Sequence, residues 1–478
     1  MSFPFIANIT ALLFSLFVGG LLLGTLFAHV KGHDVKATFS SLPAPEPRLR
    51  KLRHRLRMLM FGWEFPPHNS GGLGVACLGL VHALAEKDLD ITFVMPKRLP
   101  SGVPFARMVS ADIDTMKSLA DIEGVTIHAI NSPVTPYLTN ETYLYQARYK
   151  DGTPVYGSDL VSEARRYAYL GGQVAAQEAH DIIYAHDWLT FGAGRSAKRV
   201  SGKPFAVQVH STEFDRAGGE NIDQRIYDIE RAGMHAADKV VTVSNRTKQI
   251  VLDRYGVSAD KTHTVWNGID DFTAPDTDQP STIARLAALK DAGYKIVLFM
   301  GRITIQKGPD YFIRAARQVL DRDPNVLFIL AGSGDMERQM MHLAGALGIA
   351  DKMLFPGFLR GREQYEAYKL ADLFVMPSVS EPFGLTALEA MRIGTPVIVS
   401  RQSGVAEAIS QDLQVDFWDV DRMAKLMISV LESPTLHAEA VERGRREAAA
   451  LTWERAAENI RANIVDLLLP APAQTFFA

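Results

Sequence analysis

Two Rossmann-like α/β domains facing each other across a cleft are the fold class this sequence predicts, and three observations carry the prediction. Short apolar runs alternate with helix-length segments along most of the chain, which is the pattern of βαβ units and parallel sheets. Glycine-containing or polar turns follow those runs, where an open parallel sheet builds its ligand site. Finally, 478 residues exceed what a single hydrophobic core usually serves.

Composition excludes several classes. The chain is 47% hydrophobic and 22% charged with a net charge of −3, so it lacks the basic excess of a nucleic-acid binder. Cys77 is the sole cysteine, which excludes a disulfide framework and multi-thiolate metal clusters and fits a reducing compartment.

The N-terminus reads differently. Ile9 to Ala28 is a run of 20 residues without charge, about the length that spans a bilayer, and no Lys or Arg precedes it. Lys31, Lys36, Arg48, Arg50, Lys51, Arg53, Arg55 and Arg57 follow. The expectation is a single span at residues 1–30 that anchors a cytoplasmic catalytic region to the inner membrane. A Pro-rich, basic linker at 31–56 comes next.

The first domain is expected over residues 57–270. Met58 to Gly62 reads as a strand, and a glycine-rich turn ending in Gly71-Gly72-Leu73-Gly74 leads into a helix over 75–87. Gly71, Gly72 and Gly74 would let a backbone and helix N-terminus reach a diphosphate. The turn is not the GxGxxG of nicotinamide enzymes, and no acidic residue closes the next strand, Ile91–Met95. Further strands are expected at 125–130, 182–185, 205–209, 239–243 and 264–265, with a helix over 161–180. His186-Asp187-Trp188 and His210-Ser211-Thr212 stand just past strand ends, so Asp187 and His210 are expected to face the cleft. Asn267-Gly268 signals a turn, and residues 271–293 read as the connection between domains.

The second domain is expected over 294–452. Strand Ile296–Met300 runs into Gly301-Arg302, and Lys307-Gly308 opens the next helix. Two fixed cations there would stabilise a departing diphosphate. Strands at 326–331, 353–355, 372–377 and 396–399 follow. After the strand at 372–377 comes Glu381-Pro-Phe-Gly384-Leu385-Thr386, then a helix that carries Glu389 and runs to Gly394. Its free N-terminal amides suit a phosphate. Helices are expected at 422–432, 436–450 and 453–469. The last of them, within a segment 453–478, is expected to cross back to the first domain.

Taken together, Gly71-Gly-Leu-Gly74, His186-Asp-Trp188, Val209-His-Ser-Thr212, Asn267-Gly-Ile-Asp270, Gly301-Arg302 with Lys307-Gly308, and Glu381-Pro-Phe-Gly-Leu385 with Glu389-Ala390 resemble the retaining GT-B glycosyltransferases. The likeness is to glycosyltransferase family 4 and its glycogen and starch synthase relatives, and it covers Met58 to Leu468. Each motif alone is weak; six in order are specific.

The resemblance implies a metal-independent hexosyltransferase. It would use a nucleoside-diphosphate sugar as donor substrate, a glycan or glycolipid as acceptor, and no cofactor. It implies Glu381 at the donor sugar hydroxyls and Glu389, with seven residues between them, at the ribose diol. Arg302 and Lys307 match the cations on the diphosphate, the amides of Gly384, Leu385 and Thr386 its cap, Gly72 the covering loop, and His210 a group near the sugar. His210, Glu381, Arg302 and Lys307 are thus the catalytic candidates. Gly71, Gly72, Gly74, Asp187, Arg302, Lys307, Gly384, Leu385, Thr386 and Glu389 are the donor-binding ones.

Asn69-Ser70 stands where bacterial glycogen synthases carry a lysine, which leaves donor nucleotide and acceptor open between an α-glucan and a lipid-linked or envelope glycan. The rival classes are a metal-dependent transferase using Asp112-Ile-Asp114 or Asp419-Val-Asp421, a nucleotide-sugar epimerase, a phosphorylase, and a non-catalytic sugar-nucleotide binder.

Overall fold

The computed structural model describes residues 55–63, 65, 72–96, 107–110, 125–129, 160–270 and 283–468. Among them lie two sheets, both parallel throughout. The first comprises β1 (Leu56–Phe61), β2 (Leu89–Met95), β3 (Arg107–Ser110), β4 (Val125–Ala129), β5 (Ile182–His186), β6 (Phe205–Val209), β7 (Lys239–Thr242) and β8 (Thr262–Thr264). Their spatial order is β3-β4-β2-β1-β5-β6-β7-β8. The second comprises β9 (Lys295–Met300), β10 (Val326–Ala331), β11 (Met353–Leu354), β12 (Leu373–Met376), β13 (Val397–Ser400) and β14 (Gln414–Val415), in the order β11-β10-β9-β12-β13-β14.

Strands buried on both faces by helices read as near-continuous apolar runs, and β5, β6, β10 and β12 do so. That is why the sequence exposes them. The direction of strand addition reverses between β1 and β5 in the first sheet and between β9 and β12 in the second. The gap that opens beyond the carboxyl ends of strands at such a reversal is where an open α/β sheet binds its ligand.

Residues on either side of that gap hold the two sheets' helices together. Ser380 Oγ donates to Asp215 Oδ1 at 2.6 Å. The Glu407 carboxylate accepts from the amides of Asn245 and Arg246 at 2.9 and 2.7 Å, at the N-terminus of the helix Asn245–Tyr255. The carboxylate there complements the helix dipole. The C-terminal helix Trp453–Val465 packs on the helix Gly72–Ala85. Trp453 lies over Gly79, where a Cβ would stand 2.3 Å from the indole Nε1, and Lys87 bridges Glu454 and Glu458 at 2.8 Å each.

Several expectations change. The helix after the first glycine turn begins at Gly72 rather than residue 75, so Gly72 and Gly74 belong to its first turn. Helices at Asp187–Ser201, Gln224–Ala236 and Asn245–Tyr255 went unread, although Asp223 and Ser244 cap the last two through their side chains. The short strands β3 and β14 also went unread, being too brief to carry a pattern.

The largest correction concerns the membrane. The proposed span at residues 9–28, the linker up to residue 54, Gly71 and the Asp112–Asp114 triplet lie outside the described residues. Among those described, no helix is long and apolar enough to cross a membrane. The longest, Leu160–Gln177, carries Glu163, Arg165 and Arg166. The expected inner-membrane anchor of a cytoplasmic catalytic domain therefore has no support among the described residues.

Candidate active site

A cavity of about 390 Å³ lies at the two reversal points and is lined from both sheets' sides. Gly72, His210 and Asn267 contribute from the first, and Arg302, Lys307, Glu381, Gly384, Leu385, Thr386 and Glu389 from the second. Sequence positions from 72 to 389 are thereby brought to one place.

The second domain's wall is built from strand ends. After β9, Gly301-Arg302 turns away and Arg302 donates to Gln306 Oε1 at 2.7 Å. Gln306 is itself buried and its carbonyl accepts from the Val379 amide at 2.9 Å, which ties this turn to the one after β12. Gly308 follows Lys307 with φ of 61°, and a Cβ there would stand 2.3 Å from the Pro377 carbonyl oxygen. Only glycine lets the two turns pack this closely. Across the junction Lys307 Nζ meets Glu381 Oε2 at 2.5 Å, and Ser378 Oγ donates to the same oxygen at 3.3 Å. Both partners are largely withdrawn from water, so the pair feels a field far stronger than a surface pair would.

Gly384 precedes the helix Leu385–Ile393 with φ of 117°, and a Cβ would stand 2.8 Å from Met376 Cε. That left-handed residue turns the chain into the helix, so that Leu385 and Thr386 of its first turn line the cavity, at the helix end where backbone amides are left over for a ligand. Glu389, one turn in, is buried and accepts from Tyr368 Oη at 2.8 Å and Gln364 Nε2 at 3.0 Å. Burial pushes its pKa up to about 7, and the two donors only partly offset that.

On the first domain's side, His210 is half-buried and lines the cavity. Its Nε2 lies 2.9 Å from Nδ1 of the fully buried His186. Burial pushes His210 down to about 3 and His186 well below the ordinary histidine value, so both rings are neutral.

Asp187 is placed otherwise than expected. It does not line the cavity; its Oδ1 accepts from the His210 amide at 2.6 Å and the Ser211 amide at 3.3 Å. It holds φ of 58° at the start of its helix, and burial raises its pKa to about 7 against the pull of Arg216. It shapes the His210 turn from behind. Gly74 is buried within its helix, away from the lining. Asp419, of the second candidate metal triplet, caps the helix Val420–Glu432 by accepting from the Arg422 amide at 3.0 Å, while Asp421 accepts from Gln318. Neither lines the cavity.

Residues that the sequence reading passed over also line the cavity. Asn267, read as a turn signal, is 6% exposed, and its Oδ1 has no hydrogen-bond partner among the described residues. Gln364 was seen only as helix, and Arg360 lies 4.8 Å from the Phe358 ring at the rim. A polar residue in a turn was the available signal for Asn267, and it had two meanings.

Comparison with known proteins agrees with this architecture. Residues 70–271 match the family described as Glycosyltransferase Family 4, and residues 282–447 match Glycosyl transferases group 1. An uncharacterised glycosyltransferase of Methanocaldococcus jannaschii is 30% identical over 363 residues, 75% of this chain and 84% of that protein. A D-inositol 3-phosphate glycosyltransferase of Salinispora arenicola is 29% identical over 81% of this chain and 85% of its own. The glycogen synthase of Mycobacterium tuberculosis is 27% identical over 83% and 90%.

Among solved structures, sucrose-phosphate synthase from Thermosynechococcus elongatus superposes with a TM-score of 0.66 at 21% identity, covering 87% of this chain and 99% of that one. The Anabaena HepE protein, in complex with UDP and glucose, superposes at 0.62 and 16% identity over 86% and 100%. These two likenesses are of fold. Two parallel sheets with a cavity at their reversal points, both family matches and a relative that shares most of its length lead to one conclusion: the chain belongs to the group 1 glycosyltransferases of GT-B fold.

Proposed function

We propose that the protein transfers a hexosyl unit, with retention and without a bound metal, from a nucleoside-diphosphate sugar to a hydroxyl of a glycan. The observation that carries this reading is the grouping of Arg302, Lys307 and the N-terminus of the helix Leu385–Ile393 against the carboxylates of Glu381 and Glu389 in one cavity. Cations and amides suit the diphosphate; carboxylates suit the sugar and ribose hydroxyls. The donor domain is then residues 294–452 and the acceptor domain 57–270.

In this reading Lys307 shifts part of its charge from Glu381 to the departing diphosphate as the sugar's bond breaks. The Glu381 carboxylate, released from part of that pairing, accepts hydrogen bonds from the sugar hydroxyls. His210 is neutral, so it serves as a hydrogen-bonding group beside the sugar rather than as a charged acid. Asp187 holds the His210 turn in place.

Similarity to a glycogen synthase supports an α-glucan acceptor. Similarity to D-inositol 3-phosphate glycosyltransferases supports a phosphorylated polyol as the second reading.

A thermal-shift screen with ADP-glucose, UDP-glucose, UDP-N-acetylglucosamine and GDP-mannose tests the donor. A true donor at a hundredfold excess over its Kd stabilises the fold by about 2.7 kcal/mol. One of the four is expected to do so, and transfer with that donor is expected to survive EDTA. No stabilisation by any of them, or loss of transfer in EDTA that a divalent ion restores, would overturn the reading.

A further inference from the structure

Beneath the cavity three residues that are distant in sequence converge. Cys77 lies on the helix Gly72–Ala85, His186 ends β5 and His210 follows β6. One ligand atom from each lies within 4.8 Å of those of the other two. Cys77 and His186 are fully buried, while His210 lines the cavity and gives an ion a route from solvent.

His186 Nε2 is buried and lacks a hydrogen-bond partner among the described residues, whereas Nδ1 lies 2.9 Å from His210 Nε2. A buried polar nitrogen left unsatisfied is costly. With the proton on Nδ1, pointing at His210, Nε2 carries an unused lone pair.

We infer that Cys77, His186 and His210 form a site for a zinc-class divalent cation, and that filling it inhibits transfer by drawing His210 out of the cavity. One thiolate and two imidazole nitrogens are a donor set such ions prefer over magnesium or calcium. Tetrahedral ligation, with nitrogens at about 2.05 Å and sulfur at about 2.3 Å, sets ligand atoms roughly 3.3–3.6 Å apart. A modest inward rotation of the rings achieves this once His210 exchanges its hydrogen bond with His186 for the ion. The Cys77 thiol gives its proton to buffer on binding, both imidazoles bind as they are, and water holds the fourth position.

The test is a titration of the full chain with Cd²⁺ alone, followed through the ultraviolet thiolate-to-cadmium charge-transfer band. It needs no donor or acceptor, so its outcome is independent of the donor reading. The band is expected to saturate at one cadmium per chain in the wild type and to be absent from Cys77→Ser. In chelator-treated buffer Cys77→Ser keeps wild-type turnover, and its Zn²⁺ inhibition constant rises by at least about tenfold. His186→Gln retains the thiol but weakens Cd²⁺ binding by a similar factor. No band in the wild type, or equal Zn²⁺ inhibition in wild type and Cys77→Ser, overturns the proposal.

Discussion

Replacing Glu389 with glutamine tests the electrostatics of the cavity without touching its shape. The carboxylate is 6% exposed, and burial raises its pKa from 4.5 to about 7. Between those values the folded protein holds a proton that the unfolded chain has already lost. Stability therefore falls as pH rises through that window, and above about pH 7 the fold carries the full cost of a buried carboxylate. The interval from 4.5 to about 7, at about 1.36 kcal/mol per pH unit, gives an upper limit of about 3 kcal/mol.

Glutamine keeps an oxygen that accepts from Tyr368 and Gln364 and removes the titration. Urea denaturation of the ligand-free protein is expected to give nearly equal stabilities near pH 4.5, with Glu389→Gln ahead by ~1–3 kcal/mol at pH 8. The same variant should bind donor more weakly, because a hydrogen bond to a charged group is worth roughly 1.5–3 kcal/mol. A stability difference that stays constant between pH 5 and 8 would refute the reasoning, as would a variant less stable than wild type at pH 8.

Other outcomes follow from the same geometry. Lys307→Ala and Glu381→Ala should each lower turnover by about 10²–10³-fold, measured as released nucleoside diphosphate, and near-normal turnover in either would remove that residue from the proposed machinery. Trp453→Ala should cost ~3–5 kcal/mol of stability, because the indole is 4% exposed and fills the space over Gly79. An unchanged denaturation midpoint would mean that the C-terminal helix does not hold the first domain.

What local sequence determined is the alternation of strand and helix and the chemistry at strand ends. Strands such as Phe205–Val209 and Val326–Ala331 are buried on both faces, so they announce themselves as apolar runs. Residues just beyond a strand end, such as His210, Arg302 and Glu381, are visible from the same pattern because the chain must turn there. The helix Asn245–Tyr255 was harder to see, since only Thr247, Val251 and Tyr255 of its residues are buried.

Tertiary structure alone decided who meets whom. Strand crossovers set β5 beside β1 and β12 beside β9, and that neighbour order is a result of packing that no local pattern records. It brings Lys307 against Glu381, 74 residues away, and turns Asp187 towards the backbone amides of the His210 turn instead of the cavity. It also gathers Cys77, His186 and His210 within reach of one ion, where a single cysteine in the sequence argued against thiolate clusters. Spacing reveals a ligand set only when one turn or helix supplies it, and here three separate elements do.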